Sequence, residues 1–118
     1  MGITTVTIKV KNTKNEKLMF EENFLVDSGA SYPVVPKHLL DKIRIKPYRE
    51  QEFSLADGRI VRRKIGEAVF EFQGNRAISP VVIGKRGDSL LLGTLTLEAM
   101  GLVLDPFARK LYPAKLIV

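Results

Sequence analysis

The stretch 24–31 (FLVDSGAS) constrains the fold more than any other part of the chain, because an apolar run ends there in a carboxylate. Burying a carboxylate without a partner is costly, so this strand should present Asp27 at a partly dry site. Gly29 lets the backbone turn tightly and lets another chain approach closely. The alternative interpretation is an ordinary surface turn, since Asp, Ser and Gly all favour turns. The apolar residues ahead of Asp27 favour the first interpretation.

The composition excludes several kinds of site. With 118 residues, the chain is expected to form one domain over residues 1–118. The absence of cysteine excludes disulfides, thiol nucleophiles and thiolate metal sites. His38 is the single histidine, so a Ser-His-Asp triad and a histidine-based zinc site are disfavoured, and neither a metal nor another cofactor is expected. No stretch resembles a signal sequence or a membrane span, so we expect a soluble cytoplasmic protein with no membrane partner.

The formal net charge is +6, with basic residues concentrated in 37–49, in 59–64 and at Lys85-Arg86. A basic surface attracts nucleic acid or acidic protein segments. Here the cations are scattered among apolar residues, as on the solvated faces of strands. We therefore expect no nucleic-acid partner.

Short strands separated by tight turns dominate the rest of the chain. Alternating or wholly apolar runs predict strands over 3–10, 18–26, 65–72, 77–83, 90–94, 102–104 and 111–118. Pro36 is expected to open a brief helix, and 95–100 a second one that Thr94 caps. The fold class is therefore mostly β, a small barrel or sandwich.

A hairpin is predicted at Ala56-Asp57-Gly58. An Asp-Gly pair between extended runs, here 52–55 and 59–63, is typical of a tight β-hairpin. Its arms are polar and basic, so the hairpin should bury little on one face and move easily. An ordinary surface turn is the alternative. The basic residues of 59–64 are expected to be solvated, with the steering of acidic substrates as the alternative.

The two halves of the chain share a pattern but not an acid. Segments 24–28 and 90–94 are both apolar strands that end at a small-residue turn and lead to a short helix, and only the first carries an aspartate. Two carboxylates in contact share one proton, so one can activate a water while the other polarises a peptide carbonyl. We therefore expect a second Asp27 from another copy of the chain, across a two-fold axis.

Three segments, 25–31 (LVDSGAS), 56–58 (ADG) and 91–93 (LLG) before a short helix, resemble the retropepsin-like (clan AA) single-domain aspartic proteases. More narrowly, they are similar to the enzymes of bacteria and archaea. The resemblance implies a small closed β-barrel with one short C-terminal helix, acting as a homodimer with a flexible flap from each subunit. It implies an aspartic endopeptidase that hydrolyses extended peptides or protein substrates by a water held between two Asp27 carboxylates.

The resemblance also implies roles for individual residues. Asp27 takes the catalytic position, and Ser28 and Gly29 support the active site. Substrate contacts are implied for Gly29, Ala30, Ser31, Ala56, Asp57, Gly58 and Leu91.

The chain departs from the retroviral enzymes at one pair of positions. There, an arginine usually follows the glycine of the second motif and pairs with an aspartate just past the catalytic loop. Thr94 and Ser31 occupy these positions here.

Ser28 is disfavoured as a nucleophile because no base is placed near it. The alternative function is a catalytically silent module of the same fold that dimerises or binds peptides.

Overall fold

The computed structural model describes residues 3–115, and within this range the chain forms nine strands and two short helices. In chain order they are β1 (Thr5–Lys11), β2 (Met19–Val26), β3 (Val34–Pro36), α1 (Lys37–Lys42), β4 (Arg49–Ser54), β5 (Ile60–Phe72), β6 (Asn75–Gly84), β7 (Leu91–Leu92), α2 (Thr94–Ala99), β8 (Leu102–Asp105) and β9 (Lys110–Pro113). The mostly β class is confirmed. The predicted last strand, 111–118, is present as β9 but ends at Pro113, and residues 116–118 of that prediction lie outside the described range.

Seven of these strands form one sheet in the order β1-β2-β7-β3-β6-β5-β4, and β8 pairs with β9 in a separate hairpin. β1 also pairs with β5, so the pairings return to their starting strand. β4 stands outside this circuit and pairs with β5 in the predicted hairpin. The sheet therefore encloses a core while one hairpin extends from it.

Apolar side chains from most of the elements fill this core. Val6, Ile8 and Val10 alternate inward along β1, as the sequence pattern predicts. Phe24 and Phe70 are fully buried and meet edge to face, with ring centroids 6.1 Å apart. Among residues 3–115, no buried side-chain nitrogen or oxygen lacks a hydrogen-bond partner. Burial of these strands fixes the position of the residues that follow them.

Both predicted helices are present, but Thr94 does not cap the second one. Gly93 occupies the N-cap position of α2 and Thr94 is its first helical residue. The Thr94 hydroxyl instead donates to the Ala30 carbonyl oxygen at 3.3 Å, because the loop after β2 packs against this turn. Neither of the helices within residues 3–115 is long and apolar enough to cross a membrane.

The two halves that share a sequence pattern lie side by side. β2 and β7 are parallel neighbours, with Leu25 opposite Leu91. The turn after β7 meets the loop after β2 so closely that a Cβ at Gly93 would lie 2.5 Å from the carbonyl oxygen of Ser31 and 2.9 Å from that of Tyr32. Only glycine fits there, because the carbonyl groups of Ser31 and Tyr32 belong to the backbone and cannot rotate out of the way of a Cβ as a flexible side chain could.

Substitution of Gly93 should therefore destabilise the fold through a steric clash. We expect Gly93→Ala to lower the free energy of unfolding by roughly 3 kcal/mol, the upper end of the usual cost of overpacking. Gly74→Ala is the matched control, because a Cβ there meets no atom within 4 Å, and the only cost is the backbone strain of an alanine at a positive φ of 85°. That strain costs about 1 kcal/mol. Urea unfolding of both variants measures the difference, and an equal or smaller loss at Gly93 would contradict the packing described.

Candidate active site

Asp27 follows directly after β2 and is held by hydrogen bonds from neighbouring segments. Its backbone N–H donates to the Leu92 carbonyl at 3.0 Å, and the N–H of Val26 donates to the Thr4 carbonyl at 2.9 Å. The Oδ1 atom of the Asp27 carboxylate accepts a hydrogen bond from the N–H of Gly29 at 2.9 Å. Asp27 is half-buried, whereas Ser28 and Gly29 are exposed. The strand thus delivers one carboxylate to the surface in a fixed position.

The loop that follows Asp27 is fastened to α2. The carbonyl oxygens of Ala30 and Ser31 accept the backbone N–H groups of Thr94 and Leu95 at 2.9 and 3.0 Å. The resemblance seen in the sequence predicts that Thr94 and Ser31 replace an arginine–aspartate pair of the retroviral enzymes. In this chain, backbone hydrogen bonds join the same two segments, so no ion pair is needed to hold the loop.

A cleft of about 540 Å³ opens beside this loop. Four residues predicted to contact substrate line it: Gly29, Ala30, Ser31 and Leu91. Asp27 and Ser28 precede these residues in the loop and are not part of the lining. The rest of the wall includes Arg63 from the basic run 59–64, and residues for which the sequence predicted no role: Tyr32, Val34, Phe53, Leu55, Val61, Val82 and Asp88. The loop, the β4–β5 hairpin and the segment before β7 therefore surround one cleft.

The tip of the hairpin lies away from this lining. The N–H of Leu55 donates to the Arg59 carbonyl at 2.8 Å, so three residues, 56–58, form the turn. Gly58 has a positive φ of 87°, the left-handed conformation that the last residue of such a turn adopts. The Asp57 carboxylate accepts one hydrogen bond from the backbone N–H of Arg59 at 3.0 Å and another from the side-chain Nε–H of Arg59 at 2.7 Å. Ala56, Asp57 and Gly58 are exposed and do not line the cleft in the single chain, so their substrate contacts stay a prediction.

Tyr32 connects the Asp27 loop to the hairpin. Its ring meets the Phe53 ring edge to face, with centroids 5.5 Å apart, and its hydroxyl accepts a hydrogen bond from Arg49 Nη2 at 3.1 Å. This hydrogen bond is the main reason why the pKa of the Arg49 guanidinium lies above its usual value. Sequence reasoning missed this group of residues. The available signal was an aromatic residue directly after the loop and a second one in an otherwise polar hairpin arm.

Comparison with known proteins supports the fold. No protein-family profile and no curated protein sequence matches the chain. Solved structures similar to it include two retroviral proteases. The protease of simian foamy virus (mac) is 20% identical with a TM-score of 0.56, and the match covers 80% of this chain and 91% of the viral one. The EIAV protease, solved with an inhibitor, is 16% identical with a TM-score of 0.62, and the match covers 99% of this chain and 94% of the viral one.

At these identities the similarity establishes the fold and not the activity. The narrower similarity to bacterial and archaeal enzymes stays a prediction. The chain has the retropepsin-like fold of the retroviral proteases.

Proposed function

We propose that this protein is an aspartic endopeptidase that works as a homodimer, with one Asp27 carboxylate from each chain. The observation that carries the proposal is the position of Asp27, half-buried at the end of a core strand and beside a peptide-sized cleft in a retropepsin-like fold. The carboxylate that does line the cleft, that of Asp88, accepts a hydrogen bond from the backbone N–H of Lys85 at 2.7 Å and so stabilises the turn to which it belongs. The second catalytic carboxylate therefore has to come from a partner chain.

The reaction follows from two carboxylates in contact. Because like charges at this separation do not both ionise, the pair holds one proton between them. The ionised Asp27 removes a proton from a water molecule whose oxygen attacks the scissile carbonyl carbon, while the protonated Asp27 donates its proton to the carbonyl oxygen. The tetrahedral intermediate then collapses and its C–N bond breaks: the Asp27 that took the proton of the water donates it to the leaving nitrogen, and the other Asp27 removes a proton from one of the two hydroxyls. The pair again holds one shared proton. No metal or cofactor takes part in this scheme.

The cleft suits an extended peptide. Its walls carry apolar side chains from three segments, including Val34, Phe53 and Leu91, which can accept substrate side chains. Gly29 is exposed and has no side chain, so a substrate backbone can approach the loop closely. The β4–β5 hairpin supplies one wall and is the element proposed to act as the flap.

Exposed apolar side chains, two of them next to the Asp27 loop and two on the β8–β9 hairpin, support a dimer. Ile3 is 72% exposed and precedes Thr4, whose carbonyl oxygen accepts the N–H of Val26. Leu95 is exposed on α2 beside the loop, and Val103 and Tyr112 are exposed as a directly opposed pair on β8 and β9. A second copy of the chain that covers these side chains would remove apolar surface from water.

Replacement of the catalytic carboxylate should abolish cleavage. We expect Asp27→Asn to lower kcat/KM for a denatured protein substrate by roughly 10³-fold or more, because neither copy then supplies an ionised base. Asp105→Asn is the matched control, since Asp105 Oδ1 accepts the N–H groups of Phe107 and Ala108 at 3.0 Å and an asparagine oxygen keeps both bonds.

Light scattering on the same samples should give a dimer mass for both variants. Unchanged cleavage by Asp27→Asn would contradict the proposal. A dimer that binds peptides but never cleaves them in the wild-type form would favour the catalytically silent module instead.

Association should strengthen as salt is added. Each chain carries +6, so a dimer brings together +12, twice +6. Added salt shortens the screening length from about 30 Å at 0.01 M to about 8 Å at 0.15 M, which weakens the repulsion between subunits. We expect the dimer dissociation constant to fall over this range and to fall further in sulfate, which also favours apolar burial. Sedimentation equilibrium measures it, and tighter dimers at low salt would contradict the expectation.

Activity should be greatest on the acid side of neutrality. The shared proton is required to polarise the scissile carbonyl, and it is lost as the pH rises. Initial rates with one peptide across the pH range test this expectation, with circular dichroism as a control for unfolding. A rate that keeps rising into alkaline pH would be inconsistent with the shared-proton mechanism.

A further inference from the structure

A second cavity, of about 580 Å³, lies between α1, β5 and the loop after β6. Its floor is apolar and includes Leu40, Ile45 and Ile83. Six cationic side chains surround this floor, and they define what we call the basic groove: Lys37, Arg62, Arg63, Lys64, Lys85 and Arg86. About a third of the 19 lysines and arginines of the chain therefore line one cavity.

The charge of the basic groove is largely uncompensated. One carboxylate lines it, that of Asp41, and it is paired with Lys37 at 2.7 Å. Arg62 approaches two glutamates of β4 at 3.7 and 3.8 Å. Within residues 3–115, the other four cations form no ion pair: Arg63, Lys64, Lys85 and Arg86. Such a cluster attracts a chain that carries several negative charges.

The basic groove and the candidate active site share one wall residue. Arg63 lines both the groove and the cleft beside the Asp27 loop. Its neighbours on β5, Arg62 and Lys64, line the groove. The groove is therefore next to the cleft, and a flanking segment of a peptide held in the cleft is within reach of the groove's cations.

We propose that the basic groove binds an acidic segment of the substrate, at a distance from the scissile bond. The inference rests on the proposed function, because the cleft has to hold the reacting part of the same peptide. The groove adds affinity for substrates with several aspartates or glutamates on one side of the cleavage site. Nucleic acid suits the groove less well, because among the described residues the imidazole of His38 is the single aromatic ring in its lining, and a strand of several bases needs more than one ring to stack on.

A binding experiment tests the groove without cleavage. Fluorescence anisotropy measures the affinity of Asp27→Asn protein for labelled octaglutamate, alone and with Lys85→Gln/Arg86→Gln added. We expect the added pair to weaken binding by roughly threefold to tenfold, as the loss of two exposed charge contacts allows. Lys14→Gln/Lys17→Gln is the matched control, because these exposed lysines lie in the turn between β1 and β2 and remove the same charge. We expect less than about a twofold change from the control.

A kinetic experiment tests the link to catalysis. Two peptides share one cleavable core, and one has a tetraglutamate tail where the other has tetraglutamine. We expect kcat/KM to be roughly threefold to tenfold higher for the peptide with the acidic tail. The Lys85→Gln/Arg86→Gln variant should lose this preference, and the Lys14→Gln/Lys17→Gln variant should retain it. Circular dichroism checks that each variant is folded.

The outcomes separate this inference from the proposed function. Equal octaglutamate binding by the groove variant and its control would overturn the inference, even if Asp27→Asn abolishes cleavage and the proposed function stands. Tighter binding of a single-stranded RNA of equal charge than of octaglutamate would overturn it in favour of nucleic acid. Groove-dependent octaglutamate binding by a wild-type protein that cleaves no peptide would uphold the preference for acidic peptides and overturn the proposed function.

Discussion

The parallel pairing of β2 with β7 is the constraint on which the rest of the candidate site depends. Leu25 and Val26 lie opposite Leu91 and Leu92, and the Asp27 N–H continues the pairing by donating to the Leu92 carbonyl. Both strands are anchored by the core, so the residue after β2 cannot shift without breaking these hydrogen bonds. A carboxylate at this place is therefore oriented by the fold itself, as a preorganised catalytic group requires.

The surroundings of the Asp27 loop combine a rigid side with an exposed one. The loop carbonyls accept hydrogen bonds from the first residues of α2, and Gly93 allows the two backbones to touch. The β4–β5 hairpin, by contrast, pairs along one edge and exposes its tip, which is typical of an element that opens with little loss of packing. Contact between Tyr32 and Phe53 couples the two sides. A substrate would thus meet a fixed carboxylate and an adaptable cover.

Local sequence patterns predicted much of this arrangement. The apolar approach to Asp27, the Asp57-Gly58 turn and the pattern shared by the two halves depend on neighbouring residues, and periodicity and turn chemistry encode such features directly. Contacts between distant segments were not predictable in this way. The Thr94 hydroxyl bonds to Ala30, 64 residues away, instead of capping its own helix. The basic groove likewise draws its residues from separate segments, so only the folded chain brings its charges together.

The claim that each active site needs an Asp27 from both chains is tested most directly by mixing subunits. Wild-type and Asp27→Asn chains are exchanged at constant total protein, and cleavage of a peptide is measured as the wild-type fraction is varied. If mixed dimers are silent, activity follows the square of that fraction, so an equal mixture retains a quarter of the wild-type rate. Activity that falls in simple proportion to the wild-type fraction would contradict the account, because one chain would then be sufficient for catalysis.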